Sequence, residues 1–153
     1  MVSAQRDPDS LLKQGARIRV EFYVSEADLR TLGEPPPGFE GRCEGDALID
    51  TGALIGAIES AVAEGLGLIP VRDISIHTTG GQHDTVTYIV GLRVSGVDLG
   101  TYELAGTDGL ARNGFIALLG REFLAGRIFV YDGVLGRYTV SGAGGEPQAE
   151  ARR

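Results

Sequence analysis

The sequence predicts an all-β, barrel-like fold carrying one or two short helices. Three observations lead to it. Ile18, Val20, Phe22 and Val24, and again Val86, Tyr88, Val90, Leu92 and Val94, recur at every second position, the period of half-buried antiparallel strands. The stretch "IFVYDGVLGRYTV" reads as a hairpin, with Asp132 and Gly133 as its two-residue turn. Helical spacing is confined to "AIESAVAEGLG" and "GREFLAG", each of only a few turns and punctuated by Gly65, Gly67 and Gly126.

Taken in chain order, residues 1–16 read as an N-terminal segment and 17–140 as one domain. After the first strand comes "EADLRTLGEPPPGFEGRCEGD", whose three prolines (Pro35, Pro36, Pro37) and four glycines continue neither a helix nor a central strand. A surface loop is expected there. Gly91 marks a bulge or kink within the second alternating run. The ending "SGAGGEPQAEARR", 141–153, holds no large apolar residue and reads as a disordered tail.

At 153 residues the chain is long enough to bury about two thirds of its unfolded surface in a single core. A formal net charge of −7 and a pI near 4.8, with basic residues scattered singly, argue against nucleic-acid and membrane-surface partners. No apolar run approaches the roughly 18 residues of a membrane span, and "MVSAQRDPDS" lacks an apolar leader core. The single cysteine, Cys43, forms no internal disulfide. A soluble, cytoplasmic protein is expected.

The chemistry concentrates at "ALIDTGALIG", 47–56. Asp50 ends an apolar strand, where a carboxylate is costly unless hydrogen bonds or a shared proton compensate. Gly52 permits a sharp turn whose backbone N–H can reach that carboxylate, and Thr51 can turn its hydroxyl inward to stiffen it. Downstream, "FIALLGREFL" places Leu118, Leu119, Gly120 and Arg121 ahead of a short helix.

These segments, with the glycine-containing hairpin around Thr79, Gly80 and Gly81, resemble the retropepsin-like aspartic proteases, the family of retroviral proteases and their cellular and bacterial relatives. That family carries Asp-Thr/Ser-Gly-Ala/Ser after an apolar strand, then a flap hairpin, then an apolar-apolar-Gly-Arg-Asn/Asp motif entering a helix. The resemblance implies a closed β-barrel of the acid-protease fold, functional as a homodimer. It makes Asp50 the catalytic residue, with Thr51, Gly52, Ala53, Leu118, Leu119, Gly120 and Arg121 in support and Thr79, Gly80 and Gly81 over an extended peptide substrate. Glu122 and Gly56 depart from the pattern, standing where Asn or Asp and a hydroxyl residue are usual.

One aspartate is half of a general acid/base pair. The chain has no second Asp-Thr-Gly or Asp-Ser-Gly, and Thr107, Asp108 and Gly109 run in the wrong order, so the partner must be Asp50 of a second copy across a two-fold axis. The C-terminal hairpin, 127–140, is expected to contribute to that dimer. The expected activity is endopeptidase cleavage with an acidic to weakly acidic optimum, because Ala53 cannot donate the hydrogen bond that a serine would aim at the carboxylate. The alternative is a catalytically inactive dimeric module of the same fold that binds peptide or serves assembly. No cofactor or metal is expected, since His77 and His83 lack further ligands for a zinc set, and Ser60 and Ser75 form no serine triad.

Overall fold

In the computed structural model the described residues are 2–31, 33 and 37–142. They form ten strands and four short helices. In order these are β1 (Val2–Gln5), α1 (Pro8–Gln14), β2 (Arg17–Tyr23), α2 (Glu26–Thr31), β3 (Arg42–Ile49), β4 (Ala57–Glu59) and α3 (Ser60–Gly65). There follow β5 (Arg72–Thr78), β6 (Gly81–Val94), β7 (Val97–Thr107), a 3-10 turn at Leu110–Asn113, β8 (Ala117–Leu119), α4 (Arg121–Leu124), β9 (Ile128–Asp132) and β10 (Arg137–Ser141).

Period-two patterning sets the larger sheet. On β2 and just beyond it, Ile18, Val20, Phe22 and Val24 are buried, and on β6 so are Tyr88, Val90, Leu92 and Val94. The strand order is β2-β3-β8-β4-β7-β6-β5, and a further β2–β6 pairing joins the ends of the first six strands into a ring. The sheet is therefore a closed barrel, with β5 and the far end of β6 projecting as a hairpin. Its interior holds Phe22, Ile58, Leu92, Leu104, Leu119 and Phe123, all fully buried, and closure leaves the ring without an exposed edge. A second sheet, β1-β10-β9, pairs Val2 with Val140 and Ile128 with Ser141. Asp7 starts α1 by accepting the Ser10 N–H at 2.9 Å. No helix among the described residues is long and apolar enough to cross a membrane.

The register of β6 against β7 slips between Gly91 and Arg93, the bulge expected at Gly91. Three expectations need correction. The segment expected to be a surface loop contains α2 and the first half of β3. α2 buries no residue, so it has no apolar stripe to read, and its start depends on Ser25, whose Oγ accepts the Asp28 N–H at 3.1 Å. β3 begins at Arg42 because its polar residues pair along the whole of β2, while Gly45 makes room for the Ile116 side chain. Pro35 and Pro36 lie outside the described residues, and Pro37 is in a turn.

The second correction concerns "AIESAVAEGLG", which opens as strand β4 before turning helical at Ser60. Ala57 and Ile58 are drawn into the barrel by β7 and β8 on either side, and this pairing overrides local helical spacing. The third is the C-terminal hairpin, whose loop has four residues, 133–136, because Asp132 pairs with Arg137. The Asp132 carboxylate accepts the N–H groups of Val134 and Leu135 at 3.1 and 2.9 Å and so builds the wider turn. Of the expected tail, 143–153 lie outside the described residues.

Candidate active site

β3 ends at Ile49 and runs parallel to β8, pairing Ala47 with Ala117, Leu48 with Leu118 and Ile49 with Leu119. The ladder continues one step past the strand end, where the Asp50 N–H donates to the Leu119 carbonyl at 2.9 Å. Asp50 is thereby held at the barrel's end while its chain turns away. The turn is closed by the Gly52 N–H, which donates to Asp50 Oδ1 at 2.9 Å, and by the Ala53 N–H, which donates to the Asp50 carbonyl at 3.3 Å. Asp50 and Ala53 are half-buried, whereas Thr51 and Gly52 are exposed.

The segment after Asp50 is braced from the other side by α4. The Arg121 N–H donates to the Ala53 carbonyl at 2.9 Å and the Glu122 N–H to the Leu54 carbonyl at 3.1 Å. The Glu122 side chain then folds back, and its Oε1 accepts the Gly56 N–H at 2.5 Å. Its Oε2 is buried without a hydrogen-bond partner. Two glycines create the slot: a Cβ on Gly120 would lie 2.5 Å from Oε2 and 3.0 Å from the Ala53 carbonyl, and one on Gly56 would run into the Leu118 carbonyl. Close backbone approach therefore requires glycine at both places.

The structure thus brings Asp50, Thr51, Gly52 and Ala53 together with Leu118, Leu119, Gly120 and Arg121. Leu119 is fully buried, Arg121 is exposed, and Arg121 forms no ion pair among the described residues. Glu122 and Gly56 read from sequence only as two separate departures from a motif. In space they are one contact.

Thr79 and Gly80 form the tip of the β5–β6 hairpin, closed by the Thr78–Gly81 pair. Thr78 Oγ1 accepts the Gly80 N–H at 3.2 Å and donates to the Gly81 carbonyl at 3.3 Å, and Gly81 takes φ +114°, a conformation that favours glycine. Among the described residues this tip makes no hydrogen bond to the Asp50 loop. His77 and His83 face Gln82 and Ile76 across the hairpin, and no group of three or more His, Cys, Asp or Glu is placed to hold a metal ion among the described residues.

Farther along β4 a second carboxylate is buried. Glu59 accepts the N–H groups of Gly109, Leu110 and Ala111 at 3.2, 2.7 and 3.2 Å. Arg17, stacked 4.1 Å from the Phe115 ring centre, donates to the Asn113 carbonyl at 2.6 Å. The two side chains hold the segment leading into β8, and so the strand that braces Asp50.

No protein-family model and no curated protein matches this chain. Solved structures do. A retropepsin-like aspartic protease from Rickettsia conorii is 14% identical, with a TM-score of 0.51 over 90% of this chain and 86% of that one. The simian foamy virus (mac) protease is 17% identical, with a TM-score of 0.47 over 72% and 92% of the two chains. The EIAV protease, in complex with the inhibitor HBY-793, is 22% identical, with a TM-score of 0.42 over 54% and 75%. The Rickettsia conorii structure carries the comparison: with its closed barrel and short helices, this chain has the retropepsin-like fold.

Proposed function

We propose that the chain is an aspartic endopeptidase whose reactive centre is completed by a second copy. The observation that carries this reading is the pinning of Asp50, by its N–H to Leu119 and by Gly52 to its carboxylate, in a turn that the single chain leaves half-open. A lone carboxylate cannot serve as both acid and base at once. Two copies related by a two-fold axis bring two Asp50 side chains together, and carboxylates ~3 Å apart share one proton because both cannot ionise.

In this mechanism a water held between the pair loses a proton to the ionised Asp50. The resulting hydroxide attacks the scissile carbonyl while the protonated Asp50 of the other copy donates to its oxygen. Collapse of the tetrahedral intermediate expels the amine, which takes the proton that the first Asp50 gained from water while the other Asp50 recovers one from a hydroxyl of the intermediate, and no bond to the enzyme forms. The substrate lies extended as an added strand beneath the hairpin tip, where Thr79, Gly80 and Gly81 let main chain approach main chain. The rate has an acidic to weakly acidic maximum. The domain performing this is 17–140, with the N-terminal segment supplying β1 to its second sheet.

The test is Asp50→Asn. The wild type cleaves an unfolded protein and binds a statine-type transition-state mimic, and Asp50→Asn does neither while keeping the wild-type circular dichroism spectrum. Undiminished cleavage by Asp50→Asn would overturn the assignment, and a wild type inert to both reagents would favour a binding or assembly module.

A further inference from the structure

A second concave surface lies apart from Asp50. A cavity of about 230 Å³ opens between α2, the 67–71 segment and Ile89 of β6. Ile89 sits between the part of β6 that pairs with β5 and the part that pairs with β2, so the cavity marks the base of the projecting hairpin. None of its lining residues belongs to the Asp50 turn, the hairpin tip or α4. Three of the eleven exposed large apolar side chains among the described residues, Ile69, Val71 and Ile89, line it. Buried Val24 and half-buried Leu68 line it from within.

Isolated exposed apolar residues are ordinary on a protein surface, but several that converge on one hollow mark a binding surface. The wall carrying Ile69 is fixed by its own backbone. The Leu68 N–H donates to the Ala63 carbonyl at 3.0 Å and the Val71 N–H to the Thr87 carbonyl at 2.8 Å, while Gly67 turns the chain out of α3 at φ +65°. Opposite this apolar wall, α2 sets one charge. Asp28 is the only charged residue lining the cavity among the described residues. Its Oδ2 accepts the Ser25 hydroxyl at 2.6 Å, and the basic residue of the same helix, Arg30, pairs with Glu26 instead, at 3.7 Å.

We propose that this hollow docks an extended polypeptide by one large apolar side chain, aromatic or aliphatic, and an adjacent lysine or arginine. Size selects a side chain over a free ligand. Drug-sized molecules occupy ~300–1,000 Å³, whereas an apolar cavity of ~150 Å³ already admits a benzene ring. Charge selects the cation, because the one ionic partner the walls offer is a carboxylate. Ile69, Val71 and Ile89 leave the hollow open to solvent, so the rest of a docked chain continues outward from it. That the docked chain is the one cut at Asp50 rests on the proposed function, whereas docking itself uses no part of the Asp50 turn.

The probe is a fluorescein-labelled hexapeptide with one phenylalanine followed by one arginine among glycines and serines, titrated by fluorescence anisotropy against Asp50→Asn, which holds it uncut. Binding is expected, and it is expected to fall when serine replaces the phenylalanine or glutamate replaces the arginine. Ile69→Ser, added to Asp50→Asn, is expected to weaken binding roughly tenfold, the worth of one buried aliphatic side chain. Asp28→Asn, which keeps an acceptor for Ser25, is expected to weaken it about two- to fivefold, as for an exposed ion pair, and to lessen its dependence on salt. Asp9→Asn, at a carboxylate of α1 already paired with Lys13, is expected to change nothing and so controls for net charge. Equal affinity for the three peptides, or equal affinity of Ile69→Ser and its parent, overturns the dock. On wild type already carrying the statine-type mimic the peptide is expected to bind as before, and its displacement by the mimic overturns a separate site. Hydrolysis distinguishes the two readings: a wild type that cleaves nothing yet binds with these dependences keeps the dock and removes the protease, and one that cleaves an unfolded protein while Asp50→Asn binds none of the peptides does the reverse.

Discussion

Glu122 accepts the backbone N–H of Gly56 at 2.5 Å, tying the helix that follows β8 to the chain that follows Asp50. The contact spans most of the barrel in sequence and one hydrogen bond in space. Its second carboxyl oxygen is buried without a partner, so the group holds the loop through one oxygen.

Glu122→Ala is expected to leave the Gly56 N–H unsatisfied in a part-buried site. Stability falls by roughly 1–3 kcal/mol, the cost of abandoning a buried donor. Glu122→Gln keeps the accepting oxygen and loses less. Urea unfolding of the three proteins measures the order, and equal stability of Glu122→Ala and wild type would contradict it. Under the proposed function, peptide cleavage declines in the same order, through kcat more than KM, because the affected segment carries the carboxylate rather than the substrate pockets.

Gly91→Ala tests the space beneath Tyr23. An added Cβ would sit inside the Tyr23 ring, and the ring cannot easily move. Its hydroxyl donates to Asp98 at 2.8 Å, and the Arg93 guanidinium stacks 4.1 Å from its centre. Overpacking of this kind costs about 1–3 kcal/mol, measured as a lower urea midpoint at unchanged slope. Tyr23→Ala combined with Gly91→Ala should lose less than the sum of the two single changes.

Acid should weaken the barrel through Asp98 and Glu103. Asp98 lies below the ordinary carboxylate range because it accepts the Gly100 N–H and then the Tyr23 hydroxyl. Glu103 lies below it through its hydrogen bonds from Arg72 and then Thr87. Each binds fewer protons folded than unfolded. Their contribution is therefore present above the unfolded carboxylate value of about 4 and is lost as pH falls through the lower folded values. Denaturant titrations between neutral and strongly acid pH should show this decline, with a shallower one in Asp98→Asn.

Glu59→Ala removes the acceptor for three successive N–H groups, those of Gly109, Leu110 and Ala111. The expected loss is roughly 1–3 kcal/mol for each donor left buried, less whatever water recovers. Amide hydrogen exchange at these three residues should accelerate first, ahead of exchange in β2 or β6. Uniform acceleration across the barrel would mean that Glu59 stabilises the whole rather than the segment.

Legibility followed burial. β2 and β6 could be read because one face of each meets the core, and the nearness of Asp50–Ala53 to Leu118–Arg121 was readable because these are short, ordered motifs in which each residue type has a backbone reason. α2 was hidden because it buries nothing, and the first half of β3 because its polar side chains and Gly45 serve neighbours distant in sequence. β4 looked helical since three residues are too few to display a period of their own. The Glu122–Gly56 and Glu59–Gly109 contacts join positions whose proximity exists only after the barrel closes.

β1 zips onto β10, the first strand of the described residues onto the last. During synthesis Val2 to Gln5 must therefore wait, unpaired, until Arg137 to Ser141 have left the ribosome. The carboxylate of Asp50 likewise emerges well before the Leu119 carbonyl that fixes it. Under the proposed function, a growing chain thus carries its acidic residue in a form that is not yet aligned for cutting, and alignment arrives only when β8 has been translated and docked beside β3.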